Sequence, residues 1–143
     1  MNPVTKFSAI KDHLTLDGKF FNTDNATLIA LSEWYSSYGT KRHAFYQSKT
    51  GRFFKTIQTA AINTVSHNLE SYKAIPTTIN LKEEKIDKEF TEAEFVALFE
   101  KMQRNEDYVL DSGPYCHCIL RNRQPVSPLK IVGQPSLPEV EEV

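Results

Sequence analysis

Two cysteines and a histidine stand side by side at Cys116, His117 and Cys118, and thiolates and imidazoles are the usual ligands of zinc. On a strand, the two thiols lie on one face and the imidazole on the other, so one ion cannot be bound without a bend. A fourth ligand would have to come from elsewhere, and no C-x-x-C or H-x-x-x-H spacing is present. We therefore predict no metal site and interpret both cysteines as buried, inert thiols.

The rest of the sequence carries no signature of a known reaction. Its five glycines are scattered, so neither of the common phosphate-binding loops occurs, and the serine-hydrolase and zinc-protease motifs are absent. A thiol enzyme would need Cys116 or Cys118 in a cleft with His43 or His67, and Arg121 is too far along a strand to contact either sulfur. We expect no catalytic residues, no cofactor and no enzymatic activity.

The remaining candidate chemistry lies between Glu33 and Glu70, where the chain has no acidic residue. Two aromatic-rich runs, 43–48 and 52–57, flank Gly51 and predict a β-hairpin. Basic and aromatic residues alternate along it, a mixture that can anchor a protein partner or hold a phosphate backbone and stack on bases. The predicted partner-binding residues are Lys41, Arg42, Tyr46, Lys49, Arg52 and Lys55.

These residues leave two kinds of partner open. A protein partner is the first expectation, because a net charge of -1 gives no general attraction to nucleic acid or to an anionic membrane. Nucleic-acid binding is the alternative, and it requires Tyr46, Phe53 and Phe54 to be exposed beside Arg52 and Lys55. Burial of the same aromatic side chains would instead make them one face of a sheet packed in the core.

The elements that must position the hairpin begin with a strand or hairpin arm from Leu14 to Phe21, with its turn at Gly18. The stretch from Ala26 to Tyr35 fits a strand or a helix, and we favour the strand. Apolar residues spaced three, seven and ten positions after Ile62 predict a helix from about Ala60 to Lys73. The β-branched segment from Ile75 to Leu81 predicts an edge strand.

A second helix is predicted to begin after Thr91. Thr91 can cap the first turn, Glu94 can bond back to its backbone, and Phe90 can pack on Phe95. The buried stripe of this helix is then Phe95, Leu98, Phe99 and Met102. Two further strands are predicted at Tyr108 to Leu110 and at Tyr115 to Leu120.

Together these elements predict an α+β fold, a small and mostly antiparallel sheet with two helices packed on one face. The chain has 143 residues, which fits a single domain over residues 1–123. Four of the seven prolines and three glutamates follow Arg123, so residues 124–143 are expected to form a flexible, acidic tail. With neither an apolar run of membrane-spanning length nor an export signal, we expect a cytoplasmic protein that does not enter a membrane.

The segment from Gly18 to Thr23 and the run Phe45-Tyr46-x-x-Lys49-x-Gly51-Arg52-Phe53-Phe54 resemble small uncharacterised bacterial and phage proteins. In that group, a K-x-Y-N/D-T-x-x-A strand precedes an L-Y-x-x-K-x-G-x-F-F hairpin. The resemblance covers about Asp17 to Met102. It implies an accessory protein of a mobile element, such as an inhibitor of a bacterial defence system like CRISPR, and it supplies no catalytic residues. The chain departs from the pattern at Phe20 and Phe21, where the group has tyrosine.

Overall fold

The computed structural model describes residues 10–36, 40–68, 73–110, 119–121 and 124–137, and this part of the chain is mostly β-structure with one helix. The strands are β1 (Ile10–His13), β2 (Thr15–Leu16), β3 (Lys19–Phe20), β4 (Thr27–Leu31), β5 (Tyr35–Ser36), β6 (Thr40–Gln47), β7 (Phe53–Asn68), β8 (Lys73–Phe90), β9 (Asp107–Val109), β10 (Ile119–Arg121), β11 (Gln124–Pro128) and β12 (Lys130–Ile131), and the helix is α1 (Glu92–Gln103). No helix among the described residues is long and apolar enough to cross a membrane.

Most strands belong to one sheet, in which the five neighbours β8, β7, β6, β4 and β12 are antiparallel. Strand β1 lies parallel to β8 at one edge, and β5 pairs with β6. Helix α1 packs on one face of the sheet and the β2–β3 hairpin on the other. The predicted architecture of two helices on one face of a small sheet is therefore wrong, because strands dominate the described structure and a single helix covers the sheet.

The helix predicted from Ala60 to Lys73 is wrong for its described residues, because β7 continues to Asn68 and Lys73 begins β8, while residues 69–72 lie outside the described ranges. Strand β8 pairs with β7 throughout, and Ala60 lies opposite Leu81. Apolar residues do recur at helical intervals here, but the residues between them are rich in threonine, serine and asparagine, which disfavour a helix interior. The ladder with β8 satisfies the backbone groups that a helix would have paired internally. The strand predicted from Ile75 to Leu81 is confirmed as part of β8, but its predicted edge position is wrong for β8, which lies between β1 and β7.

Other short-range predictions are confirmed. Asp17 and Gly18 form the turn between β2 and β3, and both have positive φ, as a tight two-residue hairpin turn requires. Strands β6 and β7 form the hairpin around Gly51, and the stretch from Ala26 to Tyr35 forms strands instead of a helix. Strand β9 confirms the one predicted at Tyr108. Of the strand predicted from Tyr115, the first four residues lie outside the described ranges and the last two belong to β10.

Helix α1 begins as predicted, with a capping box at its N-terminus. The Thr91 hydroxyl accepts a hydrogen bond from the Glu94 amide at 3.2 Å, and the Glu94 carboxylate accepts one from the Thr91 amide at 3.0 Å. These bonds pair two amides that the first helical turn leaves without an acceptor. The predicted stripe faces the sheet, with Phe95, Phe99 and Met102 buried.

The main core fills the space between α1 and the sheet. The rings of Phe53 on β7 and Phe95 on α1 stack with their centroids 4.1 Å apart, and Phe45 on β6 is buried in the same cluster. On the opposite face, Phe21 follows the β2–β3 hairpin and its ring lies 4.9 Å from that of Phe54. Burial on both faces explains why every residue from 42 to 47 of β6 is buried.

The segment expected to be a flexible tail contributes to this core. Strand β11 lies between β9 and β10 in a separate small sheet, and β12 pairs with β4 at the edge of the large sheet. Val126 and Leu129 are buried, and Leu129 belongs to the core cluster under α1. The predicted boundary at Arg123 is thus wrong for residues 124–137. Residues 138–143 lie outside the described ranges, and the single-domain organisation stays a prediction.

We expect Gly133→Ala to lower the melting temperature by about 3 to 10 °C. The amide of Gly133 donates to the Ile29 carbonyl at 3.1 Å, and a Cβ at this position would lie 2.2 Å from the Leu28 carbonyl oxygen. The segment after β12 must therefore move away from β4 to admit a methyl group. Thermal unfolding measures the effect, and Val132→Ala, at a side chain that is 47% exposed, is the control. Equal melting temperatures for the two variants would contradict this packing.

Candidate functional site

Three of the six residues predicted to bind a partner are buried in the sheet. Arg42, Tyr46 and Lys55 each expose only 5% of their surface. The neighbouring aromatic residues Phe53 and Phe54 are buried as well. The folded hairpin therefore does not expose these aromatic rings for stacking against bases.

Arg42 and Tyr46 belong to a buried polar cluster on the face of the sheet opposite α1. Its centre is Glu84 on β8, whose Oε2 accepts hydrogen bonds from Tyr46 Oη at 2.7 Å, Thr56 Oγ1 at 2.8 Å and Gln58 Nε2 at 2.9 Å. Arg42 joins through its Nε, which donates to Gln58 Oε1 at 2.7 Å. Burial, reinforced by the charge of Glu84, raises the pKa of Tyr46 far above its ordinary value, so Tyr46 stays a hydrogen-bond donor.

Lys55 is buried on the other face, near α1. Its Nζ lies 2.8 Å from the Asp87 carboxylate and donates to Tyr108 Oη at 3.0 Å. Asp87 is the extra residue of a β-bulge in β8, where the register shifts between Lys55 and Thr56. Burial by itself lowers the pKa of Lys55, but Tyr108 and Asp87 outweigh this effect and the pKa is raised, so the ammonium group stays charged.

His43 is fully buried beside this ion pair. Its Nε2 lies 3.0 Å from Tyr35 Oη, and its Nδ1 has no hydrogen-bond partner among the described residues. Burial and the nearby charge of Lys55 lower the pKa of His43 to about 3, against the opposing effect of Asp87. The imidazole is consequently neutral at physiological pH and serves packing and hydrogen bonding.

The other predicted residues, Lys41, Lys49 and Arg52, keep some access to solvent. Arg52 is held by Glu89, whose two carboxylate oxygens accept hydrogen bonds from Nε and Nη2 at 2.5 and 2.7 Å. Lys49 lies in the β6–β7 turn and is exposed, and Lys41 is partly exposed at the start of β6. The exposed charges of the hairpin are therefore divided between its two ends.

A groove of about 210 Å³ separates the β6–β7 turn from the β2–β3 hairpin. It is lined by basic, apolar, amide and hydroxyl side chains, and none of its lining residues is acidic. We name Lys19, Phe20, Lys49 and Arg52, which all line this groove, the hairpin-tip surface. Phe20 is 63% exposed, whereas its neighbour Phe21 is 4% exposed and packs on Phe54.

Sequence reasoning missed Lys19 and Phe20 as candidate site residues. The available signal was the pair Phe20-Phe21, because consecutive residues of a strand point to opposite faces and a short hairpin covering a sheet can bury only one of them. Trp34 was also missed. The Arg42 guanidinium carbon lies over the Trp34 ring, 4.4 Å from the centroid of that ring. No sequence spacing links these two residues.

No group of three or more potential metal-binding side chains occurs within the described residues. Cys116, His117 and Cys118 lie outside those ranges, so the prediction that their thiols are inert stays a prediction.

Comparisons with protein-family models, with curated proteins and with solved structures found no significant match.

Because native His43 resists protonation, acid should destabilise the fold. The unfolded chain binds a proton at this histidine near pH 6.5, and the native chain binds one only near pH 3. The contribution of His43 to the free energy of unfolding is therefore fully present above pH 6.5 and is lost as the pH falls towards 3. This single group contributes a slope of at most about 1.4 kcal/mol per pH unit. Urea unfolding of the wild type and of His43→Gln between about pH 7 and pH 4 measures this slope. Equal slopes for the two proteins would contradict the assignment.

Proposed function

We propose that the protein is a non-enzymatic binding module that docks a protein partner through the hairpin-tip surface. The observation that carries this proposal is Phe20, an aromatic side chain that remains 63% exposed on a short hairpin whose next residue is buried. An exposed aromatic ring flanked by cations is typical of the residues that anchor protein interfaces. Because the β2–β3 hairpin is fixed by packing of Phe21 on Phe54, Phe20 is held in place before a partner binds.

The chemistry of this surface favours an acidic partner with an apolar pocket. Lys19 and Lys49 face the same groove, and Arg52 is partly neutralised by Glu89. A carboxylate-bearing segment would complement the two lysines and speed encounter, and burial of Phe20 would supply most of the affinity. The resemblance to mobile-element proteins adds the hypothesis that this partner belongs to a bacterial defence system.

Nucleic acid is the less favoured partner. The expectation for stacking was that Tyr46, Phe53 and Phe54 would be exposed, and all three are buried. Lys55 is engaged by Asp87 and Tyr108 inside the protein, so it is not available to a phosphate. The exposed cations Lys19 and Lys49 alone would give weak, salt-sensitive contacts with a phosphate backbone.

Phe20→Ala should weaken binding of the protein partner at least about tenfold, because an interface anchor carries a large share of the binding energy. The melting temperature should stay within about 1 to 2 °C of the wild type, since the side chain is exposed. The full chain serves as bait in a bacterial lysate, and the affinity of the retained protein is then measured with purified components. Lys49→Glu should also weaken binding, and more strongly at low salt.

The matched control is Val109→Ala, which removes an exposed apolar side chain from β9, outside the hairpin-tip surface. A protein retained equally by the wild type, Val109→Ala and Phe20→Ala would contradict the proposal. A salt titration of binding to single-stranded and duplex DNA oligonucleotides tests the alternative. Tight DNA binding that falls steeply with salt and depends on Lys49 would replace a protein partner with nucleic acid.

A further inference from the structure

A second cavity, of about 470 Å³, lies at the edge of the large sheet. One wall runs from the last residue of β4 through the segment that follows it, residues 31–34, and another from the last residue of β11 to the first residue of β12, residues 128–130. Arg42 from β6 and Asn105, two residues after α1, complete the lining. This volume lies in the range of cavities that bind small organic molecules, about 300 to 1,000 Å³.

The cavity contains a buried cation that no carboxylate of the described residues contacts directly. The guanidinium of Arg42 bonds to Gln58 through Nε, and no carboxylate in the described part of the chain lies within 4 Å of it. The ring of Trp34, 4.4 Å away, offsets only part of the cost of burying this charge. Burial lowers the pKa of Arg42, against an opposing effect of Tyr46 and Glu84. Glu84 compensates this charge from the sheet side through Gln58, and a bound anion would pair with the guanidinium directly from the cavity side.

One further cation lines the same cavity, beside Trp34. The indole Nε1–H of Trp34 has no acceptor among the described residues, but it is buried away from solvent and so does not face the cavity. Lys130 on β12 is exposed and adds a second positive charge. Leu31 and Leu129 supply apolar lining, and Glu33 is the single acidic lining residue and is exposed to solvent.

We propose that this cavity is a binding site for a small organic oxyanion, a carboxylate or a phosphate monoester attached to an apolar or aromatic body. The oxyanion accepts hydrogen bonds from the Arg42 guanidinium, and Lys130 adds attraction. The apolar body packs against Leu31 and Leu129. The site is independent of the hairpin-tip surface, which lies beyond the opposite end of β6.

The hydrogen bond from Arg42 Nε to Gln58 fixes the position of Arg42. Gln58 Nε2 donates to Glu84 Oε2 at 2.9 Å and to Tyr46 Oη at 3.2 Å, and these bonds hold the amide so that its Oε1 faces the guanidinium. Gln58 is thus a positioning residue, and Arg42 is presented to a ligand without losing conformational freedom on binding.

The experiment uses the fluorescence of Trp34, the only tryptophan in the chain, as a readout located in the proposed site. Phenyl phosphate and phenylacetate are titrated into the full-length protein, with inorganic phosphate as a probe that lacks a body and benzyl alcohol as a probe that lacks a charge. A saturable change with at least one of the two aromatic anions, and none with benzyl alcohol, supports the proposal. Phenyl phosphate and phenylacetate then distinguish a phosphate ligand from a carboxylate. The absence of a saturable change with either anion up to about 10 mM overturns it.

Variants locate the binding in the cavity. Lys130→Ala changes an exposed residue and should raise Kd about three- to tenfold, whereas Arg42→Met should raise it at least about tenfold. Lys49→Ala, at the hairpin-tip surface, is the matched control and should bind like the wild type. If Arg42→Met does not fold, Lys130→Ala carries the test. Unchanged binding by Lys130→Ala, or an equal loss in Lys49→Ala, would contradict binding at this site.

Discussion

The arrangement of the sheet depends on one buried carboxylate oxygen, Oε2 of Glu84. It accepts hydrogen bonds from side chains of β6 and β7, the two strands that follow β8 across the sheet. A fully buried carboxylate is costly unless such bonds are made, so this cluster penalises other pairings. A shift of β8 by one residue would turn Glu84 to the opposite face and leave Tyr46, Thr56 and Gln58 without their acceptor.

This register determines where the positive charges of the hairpin lie. Arg42 and Lys55 occupy opposite faces of the same two strands, and both are committed to the interior of the protein. Cations with greater access to solvent remain at the two ends of β6, with Lys41 at its start and Lys49 in the turn after its end. The two proposed binding surfaces therefore lie near opposite ends of one rigid strand ladder.

Local signals in the sequence were sufficient to predict the turns and the start of α1. The capping box at Thr91, the Asp17-Gly18 turn and the hairpin at Gly51 each depend on residues close together in the chain. The extension of β7 to Asn68 depends on pairing with β8, and apolar spacing alone could not reveal that partner. Likewise, Arg42 contacts Gln58 on β7 and Trp34 before β5 through tertiary packing, so an alternating basic pattern does not by itself indicate a solvent-facing row of charges.

Strand β12 pairs with β4, and this contact joins Lys130 to Leu31, which are about 100 residues apart in the chain. On the ribosome, residues 27–31 are synthesised early and their partner strand is synthesised late. At translation rates of about 5 to 20 residues per second, the edge of β4 waits about 5 to 20 s for β12. Throughout that interval, which covers most of synthesis, the nascent chain exposes an unpaired strand edge that is open to chaperones and to aggregation.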